Sequence, residues 1–130
     1  MENFFQPIYN KVGIIFHSRK EEIDLEKNVV LCGASRYEEK YYLNPDFEQL
    51  PDHVKDELKI MCVLYVNDVG GILTLVYEEN GDLCFEVTSA EGDAMFDEIG
   101  SRLKIKEIQR EKRELFEALE MYYKTFFLHS

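Results

Sequence analysis

The side chains best suited to catalysis or metal binding are scattered along the chain. Its histidines and cysteines stand in separate segments, at His17, His53, His129, Cys32, Cys62 and Cys84. No histidine has a partner four residues away, and no Cys-x-x-Cys pair occurs, so neither a zinc site nor a disulfide framework is indicated. A Gly-x-Ser-x-Gly elbow and a glycine-rich phosphate loop are also missing from the sequence. We therefore predict no catalytic, cofactor-binding or metal-binding residue.

Acidic residues are abundant, but their spacing is not that of a site. Adjacent pairs such as Glu78-Glu79 usually form solvated surface, and nothing in the sequence predicts a raised pKa for them. The acidic segment 78–86 contains Asn-Gly-Asp, yet it lacks the alternating ligands of an EF-hand loop. A cation site there is a weak alternative.

The net charge of the chain limits the classes of partner that the protein can bind. The 130 residues include 26 acidic and 15 basic side chains, which gives a net charge of −11. Nucleic acids and anionic membranes both require clustered Lys and Arg, so this charge argues against them and favours a basic or apolar protein partner. The free cysteines and the start Met1-Glu-Asn-Phe-Phe, which lacks a basic signal-peptide region, lead us to expect a cytoplasmic protein.

The basic residues are unevenly placed. None occurs between Ile60 and Ser101, and six then fall within residues 102–113. One interpretation is a surface helix with i, i+4 ion pairs. The other is contact between this stretch and the acidic hairpin described next, in the same chain or across a two-fold dimer.

Asn80-Gly81 marks a β-hairpin between the apolar runs 72–77 and 83–87. A two-residue turn would scatter apolar residues over both faces. A three-residue loop with Gly81 in a left-handed conformation instead pairs Tyr77 with Leu83, Leu75 with Phe85 and Leu73 with Val87. A one-residue slip reverses every side chain, so burial favours this second register.

The remaining elements follow from periodicity. Apolar residues at helical spacing predict a first helix over 4–16 and a central helix that begins at Pro51 and ends at Gly70-Gly71. The apolar run 60–66 leaves a strand as the alternative there. Residues 29–34 and 39–43 predict a second hairpin. Residues after Asp93 predict a long C-terminal helix that kinks or splits at Gly100-Ser101.

These elements predict a single α+β domain over residues 1–130. Its order is α-β-β-α-β-β-α, with an antiparallel sheet of about four strands in two hairpins and a long C-terminal helix.

Three segments resemble a family of short bacterial proteins of unknown function. They are CGASRYEEKYYLNP (32–45), VKDELKIMCVLY (54–65) and GGILTL (70–75), and the resemblance covers the chain from about Asn28. It implies a bacterial cytosolic origin and carries over no catalytic residues. The element order is also similar to roadblock and longin-type domains and to the acidic dimeric chaperones of bacterial secretion systems, although topology alone does not give function.

We expect a non-enzymatic protein–protein interaction or adaptor domain that forms a homodimer, because apolar surface accumulates at the C-terminus. The residues expected to make contacts are Tyr122, Tyr123, Phe126, Phe127, Arg110, Arg113, Glu78 and Glu86. Two alternatives remain. One is a small ligand-binding protein or enzyme with Tyr41, Tyr42, Cys84 and Glu86 on the polar sheet face, and the other is an export-type chaperone for a basic partner.

Overall fold

A computed structural model describes residues 8–9, 14–18 and 28–128 of the chain. The described strands are β1 (Ile8–Tyr9), β2 (Ile14–Ser18), β3 (Val29–Ser35), β4 (Lys40–Leu43), β5 (Ile72–Tyr77) and β6 (Leu83–Ser89). The helices are α1 (Asp52–Val69), α2 (Glu98–Glu111) and α3 (Arg113–Tyr123), with a 3₁₀ turn at Pro45–Phe47 and a π-helical turn at Lys124–Leu128.

The strands form one sheet in the order β1-β2-β6-β5-β3-β4. Strands β3 to β6 are the two predicted hairpins, joined side by side through antiparallel pairing of β3 with β5. This four-stranded antiparallel unit confirms the predicted α+β class. Strand β2 adds to it by parallel pairing with β6.

The β5–β6 hairpin has the register that burial favours. Tyr77 pairs with Leu83 and Leu75 with Phe85, and all four side chains are buried. The Gly81 amide donates to the Glu78 carbonyl over 2.8 Å, and Gly81 has a φ of +94°. A left-handed glycine therefore closes the three-residue loop, as predicted.

Residues 52–69 form a helix, which excludes the alternative of a strand over 60–66. The buried residues of α1 follow helical spacing and face the sheet, namely Leu58, Met61, Cys62, Tyr65, Val66 and Val69. Gly70, with a φ of +85°, ends the helix and donates its amide to the Val66 carbonyl. A left-handed residue at this position is common at helix C-termini.

The C-terminal helical region is divided at Lys112 rather than at Gly100-Ser101. The expected kink at the glycine is wrong because Gly100 lies in the first turn of α2, where its amide donates to the side chain of the N-cap residue Asp97 over 2.8 Å. Such a cap stabilises the start of a helix. After the break at Lys112, α3 packs on the sheet, where Phe116 contacts Phe85 and Tyr123 contacts Tyr77.

The predicted N-terminal helix is wrong where the structure describes it. Ile8–Tyr9 and Ile14–Ser18 are strands, and the other residues of the predicted 4–16 helix lie outside the described part of the chain. Isoleucine and phenylalanine at positions 14–16 are also good strand residues. Pairing with β6 gives their backbone groups hydrogen-bond partners, and this tertiary contact outweighs a short helical period.

Candidate functional site

Exposed aliphatic side chains lie on the outward surface of α1 and α2. Ile60 and Leu64 on α1 are 58% and 59% exposed, and Ile99 and Leu103 on α2 are 74% and 65% exposed. Each pair is spaced i, i+4, so its two members lie on the same side of their helix. We refer to these four residues as the aliphatic stripe.

Two ion pairs hold the helices of the stripe side by side. Lys104 Nζ lies 2.7 Å from an Asp68 carboxylate oxygen, and Lys112 Nζ lies 2.8 Å from a Glu57 carboxylate oxygen. The two contacts require α1 and α2 to run antiparallel. Leu64 is one turn before Asp68 on α1, and Leu103 precedes Lys104 on α2.

The predicted C-terminal contact residues pack mainly against their own domain. Tyr123 stacks on Tyr77 with ring centroids 4.1 Å apart, and Phe127 stacks on Tyr123 at 5.0 Å. Phe47 lies 5.0 Å from Phe127 and closes the cluster. Phe126 points outward and is 61% exposed. Tyr122 contacts it at 5.0 Å, so one edge of this aromatic cluster reaches the surface.

The charged residues of the predicted interface lie in different environments. Arg110 and Arg113 are exposed and Glu78 is half-buried. Glu86 is buried, which removes its carboxyl from the contact surface. The basic stretch of α2 mainly pairs with acids of α1 and of α2 itself, as the contacts Lys104–Asp68 and Arg102–Glu98 show.

The face of the sheet opposite the helices holds most of the second predicted group. Glu86 pairs with Thr74, which pairs with Gly33, which pairs with Tyr42. These residues therefore share one face, and Cys84, two residues from Glu86, lies on the same face. Tyr41 lies on the other face, where it packs against the core. The Tyr41 ring is thus separated from Cys84 and Glu86, although Tyr41 and Tyr42 both line one groove on the sheet.

Burial changes the acid–base properties of this face. Glu86 is 4% exposed, and its burial, with the nearby negative charge of Glu78, raises the pKa of its carboxyl to about 7. Burial and the charges of Glu78 and Glu86 raise the pKa of the Cys84 thiol to about 12. Because the thiolate is the nucleophile, this raised pKa lowers the reactivity of Cys84 at neutral pH. The alternation of side chains along β6 predicts that Cys84 and Glu86 share one face of the sheet. Nothing in the sequence indicates that this face is buried.

Cys32 and Cys62 meet in the core, where their Sγ atoms are 3.9 Å apart. Both are free thiols. The contact with Cys32 and burial raise the pKa of the Cys62 thiol. Within the described residues no group of three or more His, Cys, Asp or Glu side chains is placed to hold a metal ion. The helices in that same part of the chain are all too short or too polar to cross a bilayer.

The described fold is that of a small α+β domain whose helices cover one face of an antiparallel sheet. Residues 28–130 match the family of unknown function DUF6145, and the chain belongs to that family. This match confirms the resemblance to an uncharacterised family that begins near Asn28. No curated protein and no solved structure matches the chain.

Proposed function

We propose that this protein is a non-enzymatic interaction domain that forms a homodimer through the aliphatic stripe on α1 and α2. The observation that supports the proposal is the exposure of four large aliphatic side chains on two helices that are fixed to each other by ion pairs. Clustered apolar surface of this kind is typical of protein interfaces.

A second copy of the chain is the partner that this surface fits best. Two-fold symmetry places the same patch on both sides of an interface, so a stripe of aliphatic residues on one subunit meets an identical stripe on the other. Removing a half-exposed leucine or isoleucine from water contributes roughly 1 kcal/mol. Two copies of the four side chains therefore supply about 8 kcal/mol, which offsets an association cost of about 4–15 kcal/mol. A dimer at micromolar concentration then needs further contacts around the stripe.

The C-terminal edge that exposes Phe126 and Met121 supports an adaptor role beyond self-association. Both side chains remain more than half exposed, and they lie on the C-terminal helical region rather than on the stripe. This edge is available to a different protein when the stripe is occupied. The three buried free cysteines support a reducing compartment, and we infer a cytoplasmic protein of bacterial origin.

The oligomeric state tests the proposal. We expect the wild type to have the mass of a dimer in size-exclusion chromatography with light scattering at micromolar concentration. Leu64→Glu places a charge in the centre of the stripe and should give a monomer, because burying an unpaired carboxylate is strongly unfavourable.

Met121→Glu is the matched control. Met121 is 68% exposed, similar to Leu64, but it lies outside the stripe, so this variant should remain a dimer. A wild-type protein that stays monomeric at the highest soluble concentration would contradict the homodimer. Equal loss of the dimer in both variants would place the interface elsewhere.

A further inference from the structure

An open groove crosses the sheet face that lies opposite the helices, at strands β3, β4 and β5. Its volume is about 550 Å³, within the range of small-molecule sites. The floor is formed by Gly33 and Thr74, and Tyr42 forms a wall on the β4 side. Further along β5 and on β6 the same face is closed, since Val76, Cys84 and Glu86 are buried there. The groove is therefore a local opening in a face that is otherwise covered.

Gly33 is the residue that keeps the floor open. A Cβ atom at this position would lie 2.9 Å from the Leu73 carbonyl oxygen and 3.4 Å from Thr74 Oγ1. The first distance is shorter than a normal van der Waals contact with a backbone atom that cannot move aside. The close approach of β5 thus excludes a side chain at position 33, and the absence of that side chain leaves space between Tyr42 and Thr74.

The groove has an apolar body and is lined by two charged residues, Lys40 and Glu38. Val30, Ile72 and the half-exposed ring of Tyr42 supply apolar lining. In the next cross-strand row Lys40 pairs with Ser35, and Ser35 pairs with Ile72, so the lysine side chain begins on the same face as the floor. Lys40 makes no ion pair with any residue in the described ranges.

Glu38 also lines the groove, but its position differs from that of Lys40. Lys40 is fixed by pairing within the sheet, whereas Glu38 lies in the exposed turn that joins β3 to β4. The Lys40 side chain therefore begins on the face that forms the floor, whereas the Glu38 carboxylate belongs to the turn beside it. Lys40 is thus the charged residue that the sheet places beside the floor, and its ammonium group favours an anionic group on the bound molecule.

We propose that the groove binds a small aromatic carboxylate, with its ring on Gly33 and Thr74 against Tyr42 and its carboxylate group at Lys40. A flat ring suits a floor made of a β-sheet surface without a side chain, and a tyrosine wall favours offset stacking. The site is on the opposite side of the sheet from the aliphatic stripe, so binding there is independent of dimer formation.

A titration with 2-naphthoate tests this site, followed by the amide shifts of the ¹⁵N-labelled full chain in NMR spectra. We expect saturable shifts centred on Gly33, Tyr42 and Thr74. Lys40→Gln should weaken naphthoate binding by roughly threefold to tenfold, the size expected from losing one exposed charge-assisted contact. The neutral analogue 2-naphthamide should bind Lys40→Gln and wild type equally.

Matched variants separate the site from unspecific effects. Lys59→Gln removes an exposed lysine from α1 and should leave the affinity unchanged, whereas Glu38→Gln should tighten naphthoate binding by removing a repulsive charge. Thr74→Leu fills the floor and should abolish binding, while an unchanged thermal melt shows that the variant is folded. Absence of saturable shifts at millimolar naphthoate, shifts centred elsewhere, or equal effects of Lys40→Gln on naphthoate and naphthamide would each overturn the proposal.

Discussion

Glu86 is an ionisable side chain in a buried environment that its sequence context does not indicate. It occupies a strand position next to buried Phe85 and Val87, and its Oε1 atom has no hydrogen-bond partner among the residues that the structure describes. Burying an ionised carboxylate without a partner is costly, so the group keeps its proton to a higher pH. The pKa of Glu86 rises from 4.5 to about 7 for this reason.

This shift predicts a pH-dependent stability. Between pH 4.5 and 7 the unfolded chain releases the Glu86 proton while the folded chain retains it. The unfolded state then binds fewer protons, so the free energy of unfolding decreases as pH rises, by up to about 3 kcal/mol over this window. Glu86→Gln removes this contribution. Urea denaturation at pH 5 and pH 8 should show the variant gaining stability relative to wild type at the higher pH.

The control for this experiment is Glu79→Gln, which changes an exposed glutamate in the adjacent loop. Its stability difference from wild type should be the same at pH 5 and pH 8. If Glu86→Gln behaves in the same way, the carboxyl of Glu86 is ionised in the folded protein and the predicted coupling is wrong.

The faces of individual residues could be predicted from the sequence, but their burial could not. Alternation along a strand places Cys84 and Glu86 together and opposite Phe85, and the structure agrees. Burial depends on what packs over a face, and no local pattern contains that information. Tyr41 and Tyr42 both line the groove, but strand alternation sends their side chains to opposite faces of the sheet.

At the scale of elements, α3 is attached to the sheet through Tyr77. The Tyr77 hydroxyl donates a buried hydrogen bond to the Leu119 carbonyl over 2.9 Å, and the ring of Tyr77 stacks on Tyr123. A strand of the central hairpin is thereby joined to two successive turns of α3. This contact explains why the aromatic C-terminal residues pack on their own sheet.

Removal of the Tyr77 hydroxyl tests its contribution. Tyr77→Phe keeps the stacked ring and deletes one buried hydrogen bond, so we expect the free energy of unfolding to fall by about 1–2 kcal/mol. Hydrogen exchange should show weaker protection of α3 amides than of β5 amides in the variant. Tyr42→Phe, at an exposed position on β4, should change stability by less than about 0.5 kcal/mol. A similar small effect in Tyr77→Phe would assign the attachment to ring packing alone.

The helices and strands that are indicated by more than one sequence signal were predicted correctly. The β5–β6 hairpin combined an Asn-Gly turn with a register that burial could test, and α1 combined a long apolar stripe with a glycine end. The helix predicted over 4–16 rested on periodicity alone, and pairing with β6 is a long-range contact that periodicity does not detect. The break at Lys112 has no glycine or proline to mark it, so no local rule indicated its position.

At the scale of the whole molecule, the sheet separates two surfaces with different chemistry. One side carries the helices and the aliphatic stripe, and the other carries the groove at Gly33. The high net charge of −11 opposes association of two copies through self-repulsion. Since salt screens charge over about 8 Å at physiological ionic strength, a dimer held by apolar contacts should become more stable as salt is added.

This behaviour gives a test of the dimer that does not depend on its mass. If only the folded chain dimerises, the midpoint of thermal unfolding must rise with protein concentration, because association stabilises the folded state by mass action. We expect the wild-type midpoint to rise across a hundredfold range of concentration, and to rise further with added salt. Leu64→Glu should show a midpoint independent of concentration, whereas Met121→Glu should follow the wild type. A wild-type midpoint that does not depend on concentration would show that the folded chain gains no stability from a second copy.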